Sequence, residues 1–485
     1  MKKQTKIVAT ISTKHCEVEF LTKLYEAGMN VVRLNTAHFD PKDAMQMVNN
    51  IRKVSETIAI LLDTKGPEIR TTVCEPEFEV TKGQRVFFKG DNTGITTPDC
   101  IYTTYDNFVD EIPIGTKILI DDGSVEFIVI EKTHDKLVCE VENDGKVQSR
   151  KSINVPSVHI NLPSLNEKDK QFIDFAIEND LDFIAHSFVR NKQDILAIQN
   201  ILDAHNSKIK IIAKIENQQG VDNIDEILEV VYGVMVARGD MAIEIPAEKV
   251  PSVQKMLERK CISQRKPVIV ATQMLHTMIN NPRPTRAEVS DVANAIFDGT
   301  DAIMLSGETA SGLYPIEAVE VMTRIALEVE STKRDSIKVP PSHDHNEITT
   351  FLAKATVEAS IMLGTKSIVA DSMTGLTIRE LASYRGKCPI YAICYDKRTM
   401  REMALSYGVY ADYQKPRNTT DEFLSDALTV LLKRHHFDKH DLIVVLAGNF
   451  GTNIGASFVE ISTVGKLLER QHYFLKIREA ASVSS

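Results

Sequence analysis

In the stretch KIKIIAKIENQQG, Lys208 to Gly220, an ammonium and a carboxylate interrupt a run that is otherwise β-branched and apolar. Lys214 and Glu216 stand two positions apart, and on a strand such side chains leave by the same face. Both charges therefore point one way from a segment that should be dry. The same punctuation recurs along the chain. Arg33 and Asn35 close NVVRLN, Asp63 and Lys65 follow the apolar part of AILLDTKG, Arg238, Gly239 and Asp240 close GVMVARGD, and Thr272 and Gln273 follow PVIVA. Thr10 with Ser12, His186 with Ser187, and Ser306 with Glu308 end other apolar runs. Glu216 and Asp240 are hard oxygen donors of the kind that hold Mg2+ while leaving room for substrate oxygens and water. Arg33 and Lys214 suit an anion, one as a planar fork and one as a mobile point charge. Gly239 lets backbone N–H groups approach a small anion closely. Together they fit a substrate carrying phosphate and carboxylate. Lys214 also has a reading as a Schiff-base nucleophile of a barrel lyase, but that needs a depressed pKa, and Glu216 favours the charged ammonium. Lys214 with Glu216, and Arg33 with Asp63, can also be read as ion pairs of the scaffold.

The elements that carry these residues alternate. Apolar runs beginning at Lys6, Asn30, Ala59, Asp182, Lys210, Gly233, Pro267 and Ala302 are separated by segments of helical period such as EVEFLTKLYEAG, DILAIQNILDAH and PIEAVEVMTRIALEVE. Near-continuous apolar strands between amphipathic helices imply parallel strands buried on both faces. Eight such units predict a (β/α)8 barrel, whose reactive groups collect at the C-terminal ends of the strands. A doubly wound open sheet is the competing architecture, and it usually brings a glycine-rich phosphate turn. The chain has no G-x-G-x-x-G after its first strand and no G-x-x-x-x-G-K-[ST].

From 72 to 156 the pattern changes to strands and turns, with Asp122-Gly123 and Asp144-Gly145 as hairpin signals, which predicts an all-β domain inserted after the third barrel strand. A polar, proline-bearing linker, KRDSIKVPPSHDHNE, precedes a second α/β pattern: a helix over 348–363, strand SIVAD, helix TIRELASYR, strand PIYAIC, a helix near KRTMREMALSYG, then strands DLIVVLAG and FVEISTV. The segment 465–485 is a short charged helix candidate.

Composition narrows the function classes. The 485 residues suit several domains, and 43% hydrophobic with 26% charged residues is ordinary for a globular protein. No apolar run reaches bilayer length, so no membrane association is expected. Net charge is -10 with no basic block, which argues against a nucleic-acid partner. The 7 cysteines are scattered, form no C-x-x-C and read as free thiols of a cytoplasmic protein rather than as a zinc site.

Long motifs then carry a family resemblance: MNVVRLN, LLDTKGPEIRT, NEKDKQFI, AKIENQQGV, GVMVARGDMAIEIPAEKVPSVQKM, PVIVATQML and NPRPTRAEVSDVANAIFDGTDAIMLSGETASGLYP. The sequence resembles the pyruvate kinase family over almost its whole length. The resemblance implies a catalytic (β/α)8 TIM barrel over 1–71 and 157–335, an inserted β-barrel lid over 72–156, and a regulatory α/β domain over 346–485. It implies phosphoryl transfer from phosphoenolpyruvate to ADP, giving pyruvate and ATP. Arg33 and Lys214 would hold the phosphoryl group, Glu216 and Asp240 would bind Mg2+ (or Mn2+), and Gly239, Asp240 and Thr272 would seat the carboxylate. The Thr272 region would help deliver a proton. Arg70 and Lys151, with Asn35, would face the nucleotide.

K+ would sit on Asn35, Asp63 and the Thr64 carbonyl, with Ala37 where the family usually has a serine ligand; Glu68 is the acid associated with K+-dependent members, so K+ activation is expected. His186, Ala242 and His276 are further departures from the family pattern, expected to tune affinity only. Ser372, Thr374, Gly375 and Thr377 resemble a phosphate-cradling effector loop, while GNFGTNIG lacks the arginine or tryptophan of fructose-1,6-bisphosphate-regulated members. A homotetramer is implied by the family. The alternatives are a weakly active regulatory homologue binding nucleotide and sugar phosphate, and the lysine lyase.

Overall fold

A computed structural model describes residues 2–156, 158–332, 347–416, 419–448 and 455–470. Eight parallel strands close into a barrel in the order of the chain, except that the large insertion separates the third from the fourth. They are Lys6–Ile11, Val31–Asn35, Ala59–Asp63, Phe183–His186, Lys210–Ile215, Gly233–Ala237, Val268–Ala271 and Ala302–Leu305. Alternation along each strand sorts the side chains. Val8, Val31, Leu61, Ala185, Ile212 and Met235 belong to the cluster that fills the barrel. Ile7, Val32, Ile60, Ile184, Ile211 and Val234 join the larger cluster under the helices. Parity therefore carries Arg33, Asp63 and Lys214 to the barrel axis, each two residues beyond an interior hydrophobe.

Helix caps bind the loops at the mouth to the outer layer. The helix Glu167–Glu178 begins with a capping box: the Asn166 side chain accepts from Asp169 N–H at 2.8 Å, and Asp169 Oδ2 accepts from Asn166 N–H at 3.2 Å. Asp169 Oδ1 also accepts from Lys65 N–H at 2.9 Å, so one carboxylate starts a helix and anchors the turn after the third strand. The helix Arg286–Asp298 uses Thr285 and Glu288 in the same way and stops at Gly299, whose φ of 93° is left-handed.

The insertion forms a seven-stranded sheet, in spatial order Ile69–Arg70, Ser152–Asn154, Lys117–Ile120, Val125–Lys132, Leu137–Val141, Arg85–Gly90 and Cys100–Thr103. Its two ends meet: Thr72 N–H donates to Tyr102 C=O at 3.0 Å and Thr104 N–H to Arg70 C=O at 2.9 Å. The sheet curls around a core that includes Phe88, Phe108 and Phe127. Asp122-Gly123 is the hairpin turn expected, with φ of 54° and 84°. Asp144-Gly145 is not. Gly145 opens a strand, Gly145–Val147, that pairs with Phe78–Val80 rather than with its predecessor. A Cβ on Gly145 would stand 2.5 Å from Val125 Cγ2, so the glycine serves a close approach and not a reversal.

The C-terminal domain has a five-stranded sheet in the order Val409–Tyr413, Ile390–Cys394, Ser367–Ser372, Leu442–Ala447, Phe458–Thr463, the last antiparallel. Val409–Tyr413 and the helix Thr420–Arg434 lie between the helix expected near KRTMREMALSYG and the strand DLIVVLAG, in a stretch with no expected element. The linker at 333–346, residues 449–454 of the GNFGTNIG loop and the tail from 471 fall outside the described residues, whereas 464–470 is helical. Among the described residues no helix is long and apolar enough to cross a membrane.

Replacing Asp169 with Ala removes the returning half of the capping box, and with it three contacts in which the carboxylate accepts from the backbone N–H groups of Asn166, Lys65 and Gly66. It is expected to lower stability by about 1–3 kcal/mol, read as a shift of the urea midpoint at unchanged slope.

Candidate active site

Four strands bring their polar ends together at the barrel mouth. Arg33 Nε donates to Asp63 Oδ2 at 2.6 Å, and its Nη1 donates to Thr10 Oγ1 at 3.1 Å. Lys214 Nζ lies 3.1 Å from Asp63 Oδ1 and 3.1 Å from Glu216 Oε1, and donates to Ser187 Oγ at 2.6 Å. Ser187 in turn donates to the Thr64 carbonyl at 2.7 Å. Both scaffold ion pairs weighed from the sequence are thus present, and Lys214 joins them by reaching Asp63 as well as Glu216. Asp63 and Glu216 are each 1% exposed, Arg33 and Lys214 each 8%.

Electrostatics follow from that packing. Burial works against the charge of Asp63, but Arg33 and Lys214 hold its carboxyl below the ordinary value. Burial also opposes the Lys214 charge, and the Asp63 and Glu216 carboxylates outweigh it, raising the ammonium above the ordinary lysine range. A depressed lysine, as a Schiff-base nucleophile requires, is not what this environment makes. Glu216 is pushed up to about 7 by burial, with the like charge of Asp240 adding to that and Lys214 opposing it. Its other oxygen accepts from Phe188 N–H at 2.6 Å. Two carboxylates that repel one another at a half-open mouth are a donor set for a divalent cation completed by substrate oxygens and water. Among the described residues no three His, Cys, Asp or Glu side chains converge as a self-sufficient metal site.

The oxygens expected for a monovalent cation are already engaged. Asn35 Oδ1 accepts from Ala37 N–H at 3.2 Å, Asp63 carries two cationic partners, and the Thr64 carbonyl accepts from Ser187. Ala37 offers no side-chain oxygen.

On the far side of the mouth, Thr272 and Gln273 have consecutive left-handed φ values of 69° and 54°. A β-branched residue in that region is strained, and Arg238 holds it. Arg238 Nη2 donates to the Thr272 carbonyl at 2.8 Å, while Nη1 is fixed on Asp291 at 2.7 Å. Thr272 Oγ1 donates to the Ala271 carbonyl and accepts from Gly239 N–H at 2.7 Å. Gly239 therefore gives its N–H to Thr272, and its missing side chain admits Thr272, which would stand 3.3 Å from a Cβ. Asp240 is in the first turn of the short helix Arg238–Glu244.

Chain comparison decides what this site belongs to. The family model described as pyruvate kinase, barrel domain, matches residues 2–319, and the one described as pyruvate kinase, alpha/beta domain, matches residues 351–461. This chain belongs to the pyruvate kinase family. It is 48% identical to a pyruvate kinase of Borreliella burgdorferi over 469 residues, covering 96% of this chain and 98% of that one. A pyruvate kinase of Geobacillus stearothermophilus is 44% identical over 97% of this chain and 82% of its own length. The crystal structure of a pyruvate kinase from Cryptosporidium parvum superposes with a TM-score of 0.89 at 34% identity, covering 95% and 96% of the two chains. The fold described above is the fold of that family.

The remaining pyruvate kinase positions are spread more widely. Arg70 sits on an edge strand of the inserted sheet, held by Glu68 with Nε to Oε2 at 2.8 Å, and Lys151 Nζ is 3.1 Å from Asp121 Oδ1. In the C-terminal domain Ser372 Oγ accepts from Gly375 N–H at 2.8 Å, and Gly375, at φ 78°, starts the helix Leu376–Ser383, with Thr374 exposed and Thr377 half-buried. Sequence reasoning did not assign roles to Ser187, the Phe188 N–H, Arg238 or Asp291. The first two follow the strand Phe183–His186, and the polar His186-Ser187 pair at the end of that apolar run was the available signal.

His186 faces away from the axis. It is fully buried, its Nε2 has no partner, and burial lowers its pKa to about 4. Its folded pKa is depressed, so the unfolded chain binds the extra proton first and stability falls as pH drops from about 6.5 toward 4. Between pH 6.5 and 4.5 this group alone should remove about 2–3 kcal/mol. A His186→Phe variant should show a correspondingly flatter urea-midpoint profile across that window.

Proposed function

We propose that this chain is a glycolytic pyruvate kinase, acting in the cytoplasm on phosphoenolpyruvate and ADP to give pyruvate and ATP. The observation that carries the proposal is the buried Asp63 carboxylate flanked by Arg33 and Lys214, which presents two cations to the mouth beside the Glu216 and Asp240 carboxylates. Arg33 and Lys214 bind the phosphoryl group as its bond to the enol oxygen breaks and a bond to the terminal phosphate oxygen of ADP forms. The Lys214 charge counts most at that stage, when negative charge spreads over the moving group. Mg2+ (or Mn2+), held by Glu216 and Asp240, supplies Lewis-acid neutralisation of the substrate oxygens. Gly239, Asp240 and Thr272 seat the carboxylate. Once phosphate has left, the enolate takes a proton at its methylene carbon, and the Thr272 region, tethered by Arg238 through the Thr272 carbonyl, helps deliver it. Asn35, Arg70 and Lys151 hold the nucleotide, the last two from the lid, whose closure excludes water from the phosphoryl group.

Asn35, Asp63 and the Thr64 carbonyl would hold an activating K+, with water in the position that Ala37 leaves. Ser372, Thr374, Gly375 and Thr377 form a seat for a phosphorylated effector, and the active assembly is a homotetramer.

A lactate-dehydrogenase-coupled assay with phosphoenolpyruvate, ADP and Mg2+ tests the whole reading, run with K+, with Na+ and with neither. Turnover that rises with K+ is expected. Absence of turnover under all three conditions, with or without sugar phosphates, would favour the regulatory homologue, and borohydride trapping of pyruvate on Lys214 would favour the lyase. Lys214→Met should lower kcat by roughly 100-fold or more and change the KM for phosphoenolpyruvate much less, because its interaction is strongest in the transition state. Equal losses in binding and turnover would contradict that role.

A further inference from the structure

The helix Val250–Ser263 lies over the strands Gly233–Ala237 and Val268–Ala271, the two that run into Arg238 and Thr272. Its inward stripe holds Val250, Leu257, Cys261 and Ile262, yet two residues of the same stripe are polar: Gln254, 7% exposed, and Glu258, 1% exposed. Spaced i, i+4, they are neighbours on one helix face. Gln254 Nε2 donates to Glu258 Oε1 at 3.3 Å, while Glu258 Oε2 is buried without a partner. Burial, with the Asp298 carboxylate adding to it, pushes Glu258 up to about 8, against the pull of Gln254, Lys255 and Arg238. A buried acid held neutral in this way costs free energy that an aliphatic side chain in the same place avoids. What its oxygen holds is the reason for it.

Glu258 fixes the Gln254 amide one way round. With Nε2 on the acid, Gln254 Oε1 is turned to the other side, where it accepts from Arg238 Nη1 at 3.5 Å. Arg238 needs a second hold. Its Nε is buried with no partner, and the carboxylate on Nη1, Asp291, is 39% exposed, so solvent screens that ion pair. Nη2 is the nitrogen that carries the carbonyl of the strained Thr272. From the outer helix to the mouth the contacts therefore run from Glu258 to Gln254, Arg238 and Thr272, whose hydroxyl accepts from Gly239 N–H.

We propose that Gln254 and Glu258 are positioning residues for Thr272: the acid orients the amide, the amide seats the guanidinium, and the guanidinium keeps Thr272 in the conformation that the proton step uses. The kinetic consequence, though not the positioning, rests on the activity proposed above.

Three variants test the relay. Glu258→Leu removes the acceptor and puts an apolar side chain on an apolar stripe, so it is expected to fold and to be at least as stable toward urea as the parent. Glu258→Gln keeps an acceptor in the same place, and Gln254→Leu removes the middle link. Amide hydrogen exchange at Gly239, whose N–H is held by the Thr272 hydroxyl, reports on Thr272 without any turnover. It should be about fivefold faster in both leucine variants and parental in Glu258→Gln. In the coupled assay the leucine variants should lose about fivefold in kcat, with the KM for phosphoenolpyruvate within about twofold of the parent. Exchange of the methyl hydrogens of pyruvate with D2O should slow in the same proportion. Parental Gly239 exchange in the leucine variants would overturn the positioning, as would a Glu258→Gln variant as impaired as Glu258→Leu. Should Gln254→Leu fail to fold, the two Glu258 variants decide. Faster Gly239 exchange at an unchanged kcat would overturn the link to the proton step. Faster Gly239 exchange in a protein whose parent shows no turnover would uphold the positioning and remove the activity reading instead.

Discussion

The Asp63 carboxylate is the interaction on which the site depends. It is buried at the end of the third barrel strand and takes Arg33 from the second strand and Lys214 from the fifth, with Ser187 Oγ, after the fourth strand, 3.2 Å from its Oδ1. Such an arrangement is a poor source of stability, because desolvating three charges offsets most of their attraction. Its value is geometric. Two cations that would repel each other are held within one carboxylate's reach, and both still face the mouth. Removing the acid would take from Arg33 its carboxylate partner and leave Lys214 to Glu216 alone, so the cluster is committed to one arrangement before any substrate arrives.

A different device sets the opposite wall. Thr272 and Gln273 occupy backbone conformations that β-branched and bulky residues avoid, and the guanidinium of Arg238 holds the Thr272 carbonyl from behind. Asp291, on the helix Arg286–Asp298, fixes that guanidinium in turn. The mouth is therefore rigid on the cation side through charge and on the Thr272 side through a hydrogen-bonded strut to the outer helices. The joint between the inserted sheet and the barrel is built differently: there two short paired crossings border a cavity.

Periodicity made much of this legible. The alternation of strands and helices and the polar residues at strand ends were enough to group Arg33, Asp63, Lys214, Glu216, Asp240 and Thr272 at one barrel face, since a period of two fixes which side chains share an axis. The family motifs added names and roles. The two α/β elements without an expectation, Val409–Tyr413 and Thr420–Arg434, sit in a region where short apolar runs are interleaved with polar ones, and only pairing with Ile390–Cys394 makes the first a strand. Asp144-Gly145 read as a turn because the dipeptide is the usual hairpin signal, yet Gly145 is required by the Val125 side chain, 20 positions earlier. A local signal cannot report a contact that distant.

By itself the sequence determined the barrel, the inserted sheet and the set of groups at the mouth, because side-chain parity and hydrophobic period are local properties of the chain. Tertiary structure alone decided how those groups divide their charges. That Asp63 serves both Arg33 and Lys214, that Gly239 spends its N–H on Thr272, and that Arg190 is exhausted by Asp194 and two carbonyls all follow from distances between strands and loops far apart in sequence. Coulomb and hydrogen-bond energies depend on those distances and on burial, and neither is encoded in any one segment.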